Sequence, residues 1–395
     1  MKRKALILGL LILIGICIVV FFTLQNPNFK GIGPALKPPA GDIADRLENQ
    51  LAGEDIDFPL ALPPSFKISL FAKGVGNARV LKFDPTGNLV VSQPNSGKVV
   101  ALVDKNKDGK SDETKVIVEQ LNRPHGLAFN DGYLLVAETD KVSRFHYSNL
   151  TATGKEVLFN LPGGGGHSSR TIEFGKDNKL YTTIGSSCNA CVEKDNFRAK
   201  MLVSEADGKD LKVFAQGLRN TVFFEPHPQT GELWGTDMGR DLLGDNTPPD
   251  DLNIIKEGHD YGWPYCYGQK IHDSDFDPKK EHSCKDTTPP VFEFPAHSAP
   301  LGLAFINSKN FNPDWEGDLL VSFHGSWNRS VPTGYKIVHL KVENNTITQS
   351  QDFISGWLEG DSSLGRPVDL VFDSEGRLFI SDDKAGVVYL VTSNP

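Results

Sequence analysis

The sequence predicts an all-β fold: a six-bladed β-propeller carried behind an N-terminal transmembrane anchor helix. Three observations predict it. A hairpin-sized pattern recurs six times along the 395 residues. Glycine and proline are abundant, at 38 and 25 copies, which marks a chain full of turns. Beyond the N-terminal apolar stretch, no long amphipathic helical pattern interrupts the short apolar runs. The formal charge of −9, with no basic tract after Lys4, predicts no nucleic-acid partner.

In chain order, the first element is the uncharged run from Ala5 to Phe22, about the minimum length that spans a bilayer. Lys2, Arg3 and Lys4 precede it and favour a cytoplasmic start. No small-x-small cleavage pattern follows, and Ile16 before Cys17 departs from a lipoprotein signal. Residues 1–24 therefore read as an uncleaved anchor in the inner membrane, with the rest of the chain exported. A cleaved signal peptide, releasing the protein to the periplasm, is the alternative. Residues 25–64 are proline-rich and read as a tether, which leaves 65–395 for the propeller.

The repeat then runs "VLKFDPTGNLVVS", "GLAFNDGYLLVAE", "TIEFGKDNKLYTT", "VFFEPHPQTGELWGT", "GLAFINSKNFNPDWEGDLLVS" and "DLVFDSEGRLFIS". Each copy is a short apolar strand anchored by Phe83, Phe129, Phe174, Phe224, Phe305 or Phe372, a polar turn, and an alternating strand. Such a hairpin cannot bury its apolar face alone. Stacked radially, six of them make six blades. The later copies lie further apart, which predicts insertions near 240–298 and 341–364.

The four cysteines after Cys17, at 188, 191, 266 and 284, suggest disulfides in an exported chain. Three pairings are possible; local pairing, Cys188 with Cys191 and Cys266 with Cys284, is the expected one, and a zinc site is its rival. Polar residues recur where each repeat begins: His125 in "RPHG", His167 in "GHSSR", Arg219 and Asn220 in "GLRN", His297 in "HSAPLG" and Arg366 in "GRPVD". Side chains of this kind converging on a propeller axis suit a planar, multiply anionic ligand. The run Gly163–Gly166 precedes a repeat strand rather than a helix, so it is not a phosphate loop. It reads as a tight mount that leans His167 over the channel mouth.

Taken together, "GHSSRTIEFGKDNKLYTTIGSSCNAC", "GLRNTVFFEP", "DDLNIIKEGHDYGWPYCYG" and "HGSWNRSVPTGYKIV" resemble the soluble glucose and sorbosone dehydrogenases. These are quinoproteins that use pyrroloquinoline quinone (PQQ) and calcium on a six-bladed propeller. The cysteine-bearing segments place the chain nearer the sorbosone branch. The resemblance implies oxidation of an aldose, sorbosone-like or related sugar, with electrons passing to an acceptor in the same compartment. It implies His167 as general base and Arg219 as stabiliser of developing negative charge. Asn220, Arg366 and His125 would contact the cofactor, and the backbone carbonyls of Gly239 and Arg240 would hold Ca2+ as a Lewis acid. The sequence also departs from the pattern. Gly166 stands where the glucose enzymes carry an Asp before the base, Ser186 and Ser187 replace an Asp-Gln pair, and Val368 replaces an arginine. Arg329 and His324 are the candidates for a missing cofactor lysine.

One further motif stands apart. "DKNKDGKSDETK" places Asp104, Asn106 and Asp108 at alternate positions before Gly109, with Asp112 following, the oxygen spacing of a calcium loop. Lys115 stands where a bidentate Glu would close the shell, so a plain polar turn is the alternative. Two other functions remain open at this point: a calcium-dependent lactonase-type hydrolase, and a non-catalytic binding propeller that has lost the cofactor.

Overall fold

Each repeated hairpin becomes the inner half of a blade. The computed structural model describes residues 59–394 together with Leu13, Gly15 and Ile56. The expected anchor and most of the tether lie outside the described residues, among which no helix is long and apolar enough to cross a membrane.

Six four-stranded antiparallel sheets form the described fold. Blade 1 contains Leu81–Phe83, Leu89–Gln93, Lys98–Val103 and Glu113–Val118. Blade 2 contains Leu127–Asn130, Tyr133–Glu138, Lys141–Ser148 and Thr151–Asn160. Blade 3 contains Arg170–Phe174, Leu180–Ile184, Lys200–Ser204 and Lys212–Gln216. Blade 4 contains Thr221–Pro226, Leu233–Asp237, Asp250–Ile255 and Phe292–Phe294. Blade 5 contains Pro300–Phe305, Leu319–Phe323, Lys336–Glu343 and Thr346–Ile354. Blade 6 joins Pro367–Phe372, Leu378–Asp382 and Val387–Ser393 to Phe66–Lys73 from the other end of the propeller. Phe66 pairs with Ser393 and Lys73 with Val387, so the first and last strands close the ring and cover each other's edges.

Burial follows position. The second strands Leu319–Phe323 and Leu378–Asp382 are buried at every residue because another blade lies on each side. The outer strand Thr151–Asn160 is mostly exposed, and its sequence is correspondingly polar. Each fully buried Val or Leu of the inner strands contributes about 1.5–3 kcal/mol relative to exposure. The expected insertion near 341–364 is largely the outer strand of blade 5 plus a small ribbon, Leu358–Glu359 with Ser362–Ser363. The one near 240–298 is a true excursion, carrying the ribbon Cys266–Tyr267 with Ile271–His272.

Polar stitches tie neighbouring inner strands. Thr236 Oγ1 donates to the Leu301 carbonyl at 2.6 Å, and Leu81 N donates to Asp369 Oδ2 at 2.8 Å. Thr171 Oγ1 donates to the Val222 carbonyl, and Ser322 Oγ to that of Val368. Where blade 2 meets blade 3, Gly126 N donates to the Arg170 carbonyl at 2.8 Å. A Cβ on Gly126 would lie 2.6 Å from Ile172 N, so only glycine permits that approach. These contacts fix the loops at one end of the channel relative to one another.

The cysteines pair locally. Cys188 is bonded to Cys191 and Cys266 to Cys284, so the thiolates a zinc site would need are consumed.

Candidate active site

Strands one and two of a blade are antiparallel, so the residues before the first strand and after the second share one end of the channel. His125, His167, Arg219, Asn220 and Arg366 all precede innermost strands, and His324 and Asp383 follow second strands. The structure brings them to one mouth.

His167 is mounted by two buried arginines. Arg198 donates to the carbonyls of Pro162, Gly163, Gly164, Gly185 and His167. Arg170 donates to the carbonyls of Pro162, His167 and Ser169. The glycine run wraps these guanidinium groups, and Gly166 N closes onto the Ser187 carbonyl at 2.8 Å. The His167 Nδ1 lies 3.0 Å from the Ser186 carbonyl and 2.9 Å from its Oγ. A carbonyl only accepts, so Nδ1 carries the proton and Nε2 presents a bare lone pair. Ser186 thus fixes the tautomer and direction of the ring. Burial, and next the Arg219 cation, lower the His167 pKa to about 3, with Arg170 and Arg198 acting in the same direction. The imidazole is neutral at ordinary pH.

Arg219 lies beside it, 5 % exposed. Its Nε donates to the Asn189 carbonyl at 3.0 Å, and Nη1 donates to the carbonyls of Met238 and Gly239 at 3.2 and 2.8 Å. Its Nη2 donates to Asn189 Oδ1 and Asp241 Oδ2 at 2.9 and 3.1 Å. All five N–H groups of the guanidinium are committed, so Arg219 is a fixed positive charge rather than a spare donor. Asn220 shares the wall with His167. A Cβ on Gly185 would lie 2.6 Å from Asn220 Oδ1 and 2.7 Å from His167 Cβ, so glycine lets the two side chains close over that strand end.

The opposite wall is a second network. Arg366 donates from Nε and Nη2 to the carbonyls of His324 and Gly325 at 2.9 and 2.7 Å, and its Nη1 has no hydrogen-bond partner among the described residues. His324 Nε2 meets Asp383 Oδ1 at 2.8 Å, and Arg79 pairs with Asp383 Oδ2 at 2.7 Å. Burial, followed by Arg366, pushes the His324 pKa down to about 4. Burial alone would raise the Asp383 carboxyl, but His324, Arg79 and Arg366 hold it well below the usual range. His125, Arg79, Arg123, Ser168, Ser169 and Asp383 line a cavity of about 230 Å3. His125 is buried, with Nδ1 against Thr171 Oγ1 at 3.3 Å, and its Nε2 has no hydrogen-bond partner among the described residues. Burial and the Arg79 charge hold it neutral.

Other expected site residues stand elsewhere or are otherwise engaged. Arg329 commits its guanidinium to Asn246 Oδ1 at 3.0 Å and the Ala296 carbonyl at 3.4 Å, pinning loops on the rim; of the two lysine substitutes, only His324 meets the Arg366 network. His297 Nε2 meets the Gly244 carbonyl at 2.8 Å. The Gly239 carbonyl accepts from Arg219, and the Arg240 side chain pairs with Asp273 at 2.8 Å. The expected calcium loop is closed by its own bonds. Asp104 accepts from the amides of Asp108 and Gly109, Asp108 faces Asn106 and Lys110, and Asp112 accepts from Lys105 N. Alternating oxygens serve such a turn as readily as an ion. Among the described residues, the grouped metal-capable side chains are Cys266, His272 and Cys284, and Cys188, Cys191 and Glu193, each built on a disulfide.

Residues 60–394 match the TrAA12-like family. The chain belongs to that family. A relative from Borreliella burgdorferi, an uncharacterised protein, is 33 % identical over 361 residues, 86 % of this chain and 93 % of the relative. A pyrroloquinoline quinone-dependent pyranose dehydrogenase of Coprinopsis cinerea is 23 % identical over 82 % of this chain, which spans 53 % of that longer enzyme. The solved PQQ domain of the Coprinopsis enzyme, in holo form, superposes with a TM-score of 0.72 at 20 % identity, covering 86 % of this chain and 98 % of the domain. A calcium structure of a Trichoderma reesei enzyme of carbohydrate-active family AA12 gives 0.75 at 20 % identity, covering 87 % and 98 %. At these identities the superpositions speak for the fold.

Five residues at this mouth were not singled out by their motifs: Asn189, Arg198, Asp241, Arg79 and Asp383. Asn189 had one signal, its place between two cysteines.

Proposed function

We propose that this protein is a quinoprotein dehydrogenase that oxidises a sugar hydroxyl, using PQQ held at the mouth of the propeller. The observation that carries the reading is His167: a half-buried, neutral imidazole whose proton sits on Nδ1, beside the fixed cation Arg219. That is the arrangement of a general base next to a site where negative charge develops. The pyranose dehydrogenase relative and the PQQ-bound domain that shares the fold support the same cofactor.

The residues suit that cofactor. PQQ is flat and carries several carboxylates. Arg366 Nη1, Arg79 and Arg123 would hold its acidic groups, with neutral His125 lining the cavity beside them. When bound, the quinone supplies a two-electron acceptor for the hydride leaving the sugar carbon. His167 Nε2 takes the hydroxyl proton as the substrate carbonyl forms. Arg219 contributes its charge without moving, because its five donors are already fixed, and Asn220 fills the wall between them. The electrons then leave to an acceptor in the same compartment.

Calcium at Gly239 and Arg240 does not fit the arrangement seen. The Gly239 carbonyl already faces the Arg219 guanidinium, so a divalent ion there would sit against a buried positive charge. No step is assigned to it. A lactonase-type hydrolase would need acidic ligands around an axial metal, whereas the positions before the innermost strands carry cations and neutral imidazoles, and the carboxylates Asp241 and Asp383 are each paired with an arginine. The relatives include a pyranose dehydrogenase, and one stretch also matches an aldose sugar dehydrogenase, which supports a sugar as the substrate class and gives no support to sorbosone in particular. The two disulfides favour work in an oxidising compartment outside the cytosol.

The test is quinone-dependent turnover. Purified protein is supplied with PQQ, a panel of aldoses and an artificial electron acceptor. Oxidation that requires the quinone is expected, and His167→Ala should lose turnover while retaining the cofactor. Failure of the intact protein to bind PQQ would end the proposal; loss of binding in His167→Ala would remove His167 from the role of base.

A further inference from the structure

The disulfide nearest the site closes a small loop, Cys188–Cys191, with a sequence separation of 3. Stabilisation through the unfolded chain grows with loop length, so this bond contributes least to global stability and most to local shape. Asn189 sits inside that loop, and its polar atoms converge on the site. Its carbonyl accepts from Arg219 Nε at 3.0 Å and from Trp263 Nε1 at 3.3 Å. Its Oδ1 accepts from Arg219 Nη2 at 2.9 Å and Asp241 N at 2.7 Å, while its Nδ2 donates to the Asp241 carbonyl at 2.9 Å. One residue therefore holds a whole edge of the guanidinium and also fixes the residue whose carboxylate pairs with it. The loop reaches the base as well: Ser186 Oγ, which faces His167 Nδ1, donates to the Cys188 carbonyl at 2.6 Å.

We propose that Asn189, braced by the Cys188–Cys191 disulfide, is the positioning residue that aims Arg219 at the reaction centre. That Arg219 acts on a bound ligand rests on the function proposed above; that Asn189 fixes its direction does not. The remaining anchors, the Met238 and Gly239 carbonyls and Asp241, lie toward blade 4. Loss of the Asn189 side chain leaves its backbone carbonyl on Nε but removes Oδ1 from Nη2 and from Asp241 N, so the Nη2 side of the guanidinium and the Asp241 carboxylate that pairs with it are freed to shift together. The disulfide prevents the loop from following such a shift.

The experiment compares Asn189→Ala, Asn189→Asp and the double variant Cys188→Ser with Cys191→Ser against the intact protein, in the presence of PQQ and an oxidisable aldose. Asn189→Ala should lower kcat by about 10- to 100-fold, the effect of misplacing a charge by about an ångström. KM and the melting temperature should change little. Asn189→Asp keeps the acceptor toward Arg219 Nη2 and should recover part of that loss, and the double variant should reproduce the Asn189→Ala defect. A crystal structure of Asn189→Ala without cofactor should show the guanidinium displaced. That readout decides the positioning role even if the intact protein oxidises no sugar, an outcome that would sink the dehydrogenase reading alone. An unmoved Arg219, an unchanged kcat, or a kcat loss that simply tracks a lower melting temperature would each overturn the proposal. A double variant with full kcat would remove the disulfide from it.

Discussion

Two alanine substitutions within one run of four glycines should have opposite consequences. Gly165 has φ +79°, and a Cβ there would lie 2.8 Å from Ser187 Cα and 2.9 Å from Ser187 Cβ. The left-handed backbone makes Gly165→Ala cost about 1–2 kcal/mol. The collision with Ser187 adds about 1–3 kcal/mol, since backbone rather than a flexible tip must give way. The total expected loss is about 2–5 kcal/mol. Ser187 adjoins both Ser186, which orients His167, and Cys188, so kcat should fall along with stability. At Gly163 the nearest atom to a new Cβ is Asp140 Cβ at 3.5 Å, an ordinary contact, and no left-handed conformation is required. Gly163→Ala should be neutral or stabilise by up to about 1 kcal/mol through the unfolded chain. The assay is urea unfolding followed by tryptophan fluorescence, with kcat measured on the same preparations. Equal destabilisation by the two substitutions, or a Gly165→Ala protein as stable and active as the parent, would refute the view that this run is a rigid mount.

Other expectations follow from the same geometry. His167 is held neutral, its pKa lowered from 6.5 to about 3, so in the cofactor-free protein it should gain a proton only as pH falls far below 6.5. Arg219→Met removes the second-largest cause of that lowering and should move the titration upward. Imidazole NMR reads both, and a parent titration near 6.5 would contradict the account. Gly126→Ala would put a Cβ 2.6 Å from Ile172 N and 2.7 Å from the Arg170 carbonyl, forcing blades 2 and 3 apart. A loss of about 1–3 kcal/mol is expected, with weakened quinone binding because His125 precedes it. Unchanged unfolding would show that the inner strands tolerate separation.

The blades were legible because a hairpin carries its own signal: an apolar strand ending near a Phe, a polar turn, an alternating strand. The mouth residues were legible for a related reason, since His125, His167, Arg219 and Arg366 stand at one place in the repeat. The closing pair, Phe66–Lys73 with Val387–Ser393, was not, because it joins opposite ends of the propeller and neither strand names its partner. Nor was Asn189, whose role exists only once loops from blades 3 and 4 meet around Arg219. Spacing alone did not distinguish the two readings of Asp104, Asn106 and Asp108, because a self-bonded turn uses the same alternation as an ion loop. Residue type alone could not show that the Arg329 guanidinium is drawn to Asn246 and the Ala296 carbonyl. The missing Asp before His167 was visible, but the Ser186 carbonyl that orients the ring was not, since backbone acceptors leave no trace in side-chain identity.

The most direct test of the central claim is an equilibrium titration of the cofactor-free protein with PQQ, followed by absorbance, for the parent and for Arg366→Ala. Saturable binding of one quinone per chain is predicted, weakened by about 10- to 100-fold in the variant, the effect of losing a hydrogen bond to a charged group. No saturable binding by the parent, or undiminished affinity after Arg366→Ala, would contradict a quinone site at this mouth.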